Sequence, residues 1–341
     1  MSDAPIKDIL RDLSKGIALD RSHFRDTLEL MTSDAASAPQ KAAFLALLRG
    51  RGETVAEITG AAELLRGAMI RVGAPAGAVD IVGTGGDGHG TFNVSTCAAF
   101  VVAGCGVPVA KHGNRAVSSK SGASDVLAAL GVNLDIAPLD VERAIAQAGV
   151  GFLWAPLHHP LMKAWAPVRA ELGFRSIFNL LGPICNPAGV TRHVIGVFDQ
   201  VWIAPVAEVL RNLGSEHAWV VHGADGLDEL TTTGITHGAE LKNGQIRALR
   251  IAPEDAGLPR TRLADLVGGD AAANAVALRK VLAGMPGAYR DIVLLNAAAA
   301  LIVGGKVSDL ASGVKLAAEA IDTGKASAAL EGLVRITNES K

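Results

Sequence analysis

Three stretches of this sequence hold residue types suited to binding a polyanion and a hard metal ion. Gly83-Thr84-Gly85-Gly86-Asp87-Gly88-His89-Gly90 follows the apolar run Val79 to Val82, and Lys111-His112-Gly113-Asn114-Arg115-Ala116-Val117-Ser118-Ser119 follows Val107 to Ala110. Glycines let backbone N–H groups approach phosphate oxygens, while Lys111, Arg115 and Lys120 add full positive charges. Between the loops, Asn93-Val94-Ser95-Thr96 sets amide and hydroxyl groups where a helix should begin and free N–H groups gather. No Asp or Glu lies between Asp87 and Asp125, so the window suits several phosphates at once. Either loop alone reads equally well as a turn with solvated basic residues. Two at successive strand ends point to a ligand, because open α/β sheets bind at the carboxyl ends of their strands.

The third stretch is His222-Gly223-Ala224-Asp225-Gly226-Leu227-Asp228-Glu229-Leu230, after the strand-like run His217 to Val221. Adjacent carboxylates suit magnesium, which rides on substrate phosphates and takes one or two carboxylates from the protein. Alone, the stretch is an ordinary acidic surface loop; beside a polyanion site it favours metal. His158 and His159 lack a third ligand at a telling spacing and read as structural. Arg169, near Glu171 and Arg175, reads as a surface ion-pair member.

Gly83, Gly85 and Gly88 also satisfy the spacing of a dinucleotide fingerprint. That motif needs a helix opening at the third glycine and an acid about 20 residues on. Gly90, Thr91 and Phe92 delay the helix and the acid is missing, so a nicotinamide site is set aside.

The elements that must position these loops fall into two textures. The first seventy or so residues predict helices only: Phe24, Leu28 and Met31 behind an Asp20 cap, Ala42 to Leu48 stopped by Gly50 and Gly52, and a capping box at Thr54-Val55-Ala56-Glu57. From Val79, short β-branched runs alternate with helical stretches, the pattern of a mainly parallel sheet with crossover helices. Strands are predicted over Val79 to Val82, Val107 to Ala110, Gly151 to Trp154, His193 to Val197 and His217 to Val221. Late in the chain, helices are predicted over Ala271 to Leu282 and Ala288 to Val303. Residues 160–187 break the alternation with helix, an excursion expected to pack on the N-terminal helices. The division predicted is a small all-helical domain over 1–74, joined by 160–187, and a large α/β domain over 75–341.

The 341 residues carry a formal charge of −2, which excludes a general nucleic-acid binder. Cys97, Cys105 and Cys185 form no CxxC pair and read as buried thiols. A polar N-terminus and apolar runs too short for a span predict a cytoplasmic protein without membrane contact.

Taken together, Gly83 to Asp87, Asn93 to Thr96, Lys111 to Ser119 and Leu227-Asp228-Glu229 resemble the anthranilate phosphoribosyltransferase family. His159-Pro160-Leu161-Met162, Val168-Arg169 and Phe178-Asn179-Leu180-Leu181-Gly182-Pro183 are similar to its further signatures. The resemblance covers nearly the whole chain. It implies the nucleoside phosphorylase-like phosphoribosyltransferase fold, usually as a homodimer, and transfer of a phosphoribosyl group to anthranilate in tryptophan biosynthesis. It further implies a phosphoribosyl pyrophosphate site at Gly83, Gly86, Asp87, Thr91, Asn93, Val94, Ser95, Thr96 and Lys111, His112, Gly113, Asn114, Arg115, Ala116, Val117, Ser118 and Ser119. Mg2+ ligands fall on Ser95, Asp228 and Glu229, and contacts to anthranilate on Gly83, Asn114 and Arg169. At Ala123 the family often has serine, so one hydroxyl contact to the sugar diphosphate is missing. No general base is implied. Two other readings stay open: a pyrimidine nucleoside phosphorylase sharing the architecture, and a non-catalytic phosphoribosyl pyrophosphate-binding regulator.

Overall fold

A computed structural model describes residues 4–115 and 121–339. The chain opens with helices Ala4–Ser14, Arg21–Thr32, Ala38–Arg51 and Val55–Ala68. Asp20 caps the second by accepting the His23 N–H at 2.9 Å. Thr54 and Glu57 exchange bonds of 3.2 and 2.9 Å at the start of the fourth, satisfying two N–H groups that a helix leaves orphaned. Phe24, Leu28 and Met31 repeat at helical spacing and are buried on one face.

Seven strands follow in one sheet: β1 Val79–Gly83, β2 Val109–Gly113, β3 Val150–Trp154, β4 Arg192–Gly196, β5 His217–Gly223, β6 Thr236–Lys242 and β7 Gln245–Ile251. Their order is β3-β2-β1-β4-β5-β6-β7. The first five run parallel, and β6 and β7 add an antiparallel hairpin. The chain winds outward from β1 in one direction through β2 and β3, then resumes on the other side of β1 with β4. This reversal opens a crevice beyond the carboxyl ends of β1 and its neighbours.

Two expectations about strands need correction. The run expected over Val107 to Ala110 pairs over Val109–Gly113 instead, so Lys111 and His112 belong to β2 rather than to the loop after it. Pro108 has no N–H to give a ladder, and polar side chains continue the strand because Lys111 and His112 pair with Phe152 and Leu153 of β3. The β6–β7 hairpin is absent from the predicted strands, although Asn243-Gly244 is a hairpin signal; both residues take positive φ, 52° and 77°.

Opposite faces of the sheet pack on different helices. Val79, Ile81, Val109 and Val194 join a core with helices Val94–Gly104, Ala271–Leu282, Ala288–Val303, Leu310–Asp322 and Lys325–Glu339. Val82, Ile195 and Val220 join a second core with the N-terminal helices, Ile203–Asn212, and the short helices Ala166–Leu172 and Ile177–Ile184. Trp165 locks the last pair against the N-terminal helices: its ring packs between Phe44 and Phe178, and its indole N–H donates to Thr32 Oγ1 at 2.9 Å. The Arg66 guanidinium donates to the Ile184 carbonyl. All three cysteines are buried and free, and among the described residues no helix is long and apolar enough to cross a membrane.

Candidate active site at the carboxyl ends of the parallel strands

β1 ends at Gly83, and the glycine loop beyond it meets the acidic loop beyond β5. The Gly85 N–H donates to Asp228 Oδ2 at 2.6 Å, and the Ser95 N–H donates to Glu229 Oε1 at 3.0 Å. Two glycines make room for this approach. A Cβ on Gly83 would stand 2.3 Å from Asp228 Oδ2, and one on Gly196 would stand 1.6 Å from the Asp228 carbonyl oxygen. Side chains at either position would expel the carboxylate from the crevice.

Ser95 lies in the first turn of helix Val94–Gly104, behind Asn93 as cap. Lys111 reaches the same place from β2: its buried ammonium donates to the Ile81 carbonyl at 2.6 Å and to Ser95 Oγ at 3.4 Å. Ser95, Asp228, Glu229 and Lys111 therefore converge on one crevice from three separate segments. Val94 and Thr96 are buried in the core instead. Asn93 supports the site through Ser121 and Asn274.

Burial dominates the electrostatics. It pushes Asp228 up to about 7, helped by the nearby Asp87, against the pull of the Gly85 N–H. Glu229 is raised by burial and by Asp228, while Lys111 is lowered by burial and held up by Asp80 and Glu229. Two carboxylates pressed together with one shared lysine form an electron-rich, hard-oxygen donor set, which a divalent cation would relieve. Among the described residues no group of three or more His, Cys, Asp or Glu is arranged for a metal. The fit is therefore to an ion that takes few protein ligands and keeps water or substrate oxygens, as Mg2+ does.

The second loop is described only in part. Asn114 and Arg115 are exposed; Asn114 Oδ1 accepts the Arg115 N–H at 2.8 Å, and the Arg115 guanidinium lies 5.5 Å from the Trp154 ring centre. Ala116, Val117, Ser118, Ser119 and Lys120 lie outside the described residues. Gly113 faces the Phe152 ring, and Ala123 comes within contact distance of where its Cβ would be. Ser124 does not replace the hydroxyl missing at Ala123: its Oγ is fully buried and makes no hydrogen bond among the described residues.

His112 is committed to structure. Its backbone N–H donates to Asp80 Oδ1 at 3.1 Å, and Asp80 is held in turn by Asn186 at 2.7 Å. The ring Nδ1 pairs with the Gly182 carbonyl at 2.9 Å, and Nε2 faces His159 Nε2 at 3.2 Å. Burial lowers His112 to about 3 and His159 to about 4, so both are neutral near pH 7. His158 Nδ1 pairs with the Ile70 carbonyl, where the helical part joins the sheet.

Arg169 is half-buried on helix Ala166–Leu172, with its guanidinium 5.3 Å from the Phe178 ring centre and its pKa lowered by burial. Among the described residues no carboxylate pairs with it, contrary to the surface-pair reading. Arg175 carries no role in the sequence pattern beyond being a neighbour. Its guanidinium lies 4.4 Å from the Phe198 ring centre, and Nε stands 3.0 Å from where a Gly86 side chain would begin. The planar cation thus lies against the glycine loop. Another contribution invisible in the pattern is the 263–268 segment: Thr91 bridges Val267, the Phe92 N–H donates to the Leu266 carbonyl, and the Gly268 N–H donates to the Gly90 carbonyl.

Comparison with known proteins agrees with this geometry. Residues 76–327 match the model of the glycosyl transferase family, a/b domain, and residues 7–69 match its helical bundle domain. An anthranilate phosphoribosyltransferase of Rhodopseudomonas palustris is 60% identical over 97% of this chain and 98% of its own length. One from Bradyrhizobium diazoefficiens is 55% identical over 98% of this chain and 99% of its own. The crystal structure of the Thermus thermophilus enzyme superposes with a TM-score of 0.90 at 42% identity, covering 96% of this chain and 99% of that one. The Saccharomyces cerevisiae enzyme in complex with PRPP and Mg also reaches 0.90, at 27% identity and 99% coverage of both chains. Matched along both its helical bundle and its α/β part, and alike in sequence and fold over nearly its whole length, this chain belongs to the anthranilate phosphoribosyltransferase family.

Proposed function

We propose that the chain transfers the 5-phosphoribosyl group of phosphoribosyl pyrophosphate to the amino group of anthranilate, as a step of tryptophan biosynthesis. The observation that carries this reading is the meeting of Asp228 and Glu229 with the N–H groups of Gly85 and Ser95 at the sheet's reversal point. The carboxylates, as hard oxygen ligands, then stand in one crevice with the glycine loop and the helix start, whose amides hold them there.

A bond forms from the anthranilate nitrogen to the anomeric carbon as the bond to pyrophosphate breaks; the extra proton on nitrogen leaves for solvent. An arylamine is unprotonated near neutral pH, so no base with a shifted pKa is needed. Positioning and charge stabilisation carry the rate. We assign the diphosphate to Gly83, Gly86, Asp87 and Thr91, to the helix start from Asn93 to Thr96, where the buried Val94 and Thr96 offer backbone only, to Lys111 through Ser119, with His112 holding the strand in place, and to Ala123. Arg175 adds a charge beside Gly86. Ser95, Asp228 and Glu229 would hold Mg2+, which when bound offsets negative charge on the diphosphate. Arg169 and Asn114, with the backbone at Gly83, orient the anthranilate carboxylate. Residues 1–74 with 160–187 act as one body and the α/β part as the other, so that the amine and the sugar meet between them; the chain works as a homodimer in the cytoplasm.

Anthranilate fluorescence tests the assignment. Mixing protein, anthranilate, phosphoribosyl pyrophosphate and Mg2+ is expected to quench it at a rate proportional to enzyme. No quenching, with phosphate-dependent cleavage of a pyrimidine nucleoside instead, would mark a phosphorylase; tight binding with no turnover would mark a regulator.

A further inference from the structure

The structure assigns a positioning role to Asn296 and Tyr289, which hold the two halves of the crevice at a fixed separation along one helix. Helix Ala288–Val303 is buried from Ile292 to Val303, and Asn296 is the single polar side chain in that stretch. A carboxamide with no exposure is costly in an apolar core unless its groups are bonded. Asn296 Oδ1 accepts the Leu230 N–H at 3.0 Å, and Nδ2 donates to the Leu230 carbonyl at 2.8 Å and to the Ile292 carbonyl at 2.9 Å. Both bonds to Leu230 engage one residue's backbone, the residue directly after Glu229. The clamp therefore fixes where the Asp228-Glu229 pair enters the crevice, whatever the side chain at 230.

Seven residues earlier, Tyr289 grips the other half. Its hydroxyl donates to the Asn93 carbonyl at 3.2 Å, and its ring stacks on Phe92 with centroids 4.4 Å apart. Asn93 caps the helix that carries Ser95. Positions seven apart lie on one face of a helix, about 10.5 Å along its axis. Between the two grips, Glu229 accepts the Ser95 N–H. The helix thus sets the distance between the carboxylate loop and the helix start, although neither Asn296 nor Tyr289 needs to meet a substrate.

This inference rests on the proposed reading of Asp228 and Glu229 as metal ligands, and two measurements keep the two apart. Mn2+ binding in the presence of phosphoribosyl pyrophosphate, read as loss of the free-ion paramagnetic signal beyond that caused by phosphoribosyl pyrophosphate alone, needs no turnover. In Asn296→Leu and Tyr289→Phe the apparent Mn2+ Kd is expected to rise about tenfold, as for loss of a group that orients a ligand. The Mg2+ concentration for half-maximal rate should rise in step, with the anthranilate KM unchanged. Mn2+ affinity equal to wild type in both folded variants overturns the role, even where thermal stability falls. Absence of Mn2+ binding in the wild type overturns the ligand assignment itself. Should Asn296→Leu not fold, Asn296→Asp, which keeps size but loses both N–H donors, is read in its place.

Discussion

The Asp228 carboxylate and Gly83 occupy one another's space: the oxygen that accepts the Gly85 N–H stands 2.3 Å from where a Gly83 Cβ would be. The last residue of β1 has no side chain, and the carboxylate from the loop after β5 lies across it. Gly83→Ala is expected to displace Asp228 and to lower kcat/KM for phosphoribosyl pyrophosphate by roughly 10- to 100-fold, the range for disturbed support of a ligand. Steady-state kinetics against Mg2+ would check this; wild-type kinetics would show that the crevice accommodates the methyl.

Asp228 should also leave a signature in stability. Its folded pKa of about 7 lies above the unfolded value, so the folded chain binds the extra proton between about pH 4 and 7. The stability contributed by that proton is full below about pH 4 and is lost as pH rises through 7. Asp228→Asn removes this dependence. The variant should gain on wild type across the window, by at most about 1.4 kcal/mol for each step of one in pH. Denaturant titrations without metal at low, middle and high points of that window measure the gap, and parallel curves would deny the buried, protonated form. Adding Mg2+ with phosphoribosyl pyrophosphate should stabilise the wild type more than the variant, because bound metal favours the ionised carboxylate.

Arg169 lies on the helical excursion, and among the described residues no carboxylate matches its charge. Arg169→Ala is expected to raise the anthranilate KM by about 10- to 100-fold, the worth of a charge-assisted hydrogen bond, and the phosphoribosyl pyrophosphate KM much less. Equal effects on both would argue for a structural role over Phe178.

Arg175 makes the opposite split. It stacks on Phe198 and abuts Gly86, so Arg175→Ala should weaken phosphoribosyl pyrophosphate several-fold and leave anthranilate unaffected. Arg175→Lys should restore little, because an ammonium cannot lie flat between a ring and a glycine turn. Full recovery with lysine would reduce the contact to simple charge.

Some of this is legible in local pattern. Helix Ala288–Val303 and helix Ala271–Leu282 begin and end where their apolar spacing predicts. The capping box at Thr54 forms because Glu57 is three residues away, a relation a sequence displays directly. The boundary at Lys111 is not legible, because a polar residue looks like loop until a neighbouring strand is known. Asn296 is hidden for the same reason: it partners Leu230, which stands 66 residues away in the chain.

What the chain's order of residues determined by itself was the inventory: two glycine loops, an acid-free window, a carboxylate pair, and the alternation that makes a parallel sheet. Those follow from backbone freedom, charge and period, all of which act over a few residues. Folding alone decided that Asp228 crosses Gly83, that Arg175 lies on Gly86 while Thr96 turns inward, and that one buried helix grips both sides of the crevice. Such pairings join segments far apart in the chain, with Asp228 143 positions after Gly85 and Tyr289 196 positions after Asn93, where only packing of the whole sheet and its helices selects the partner.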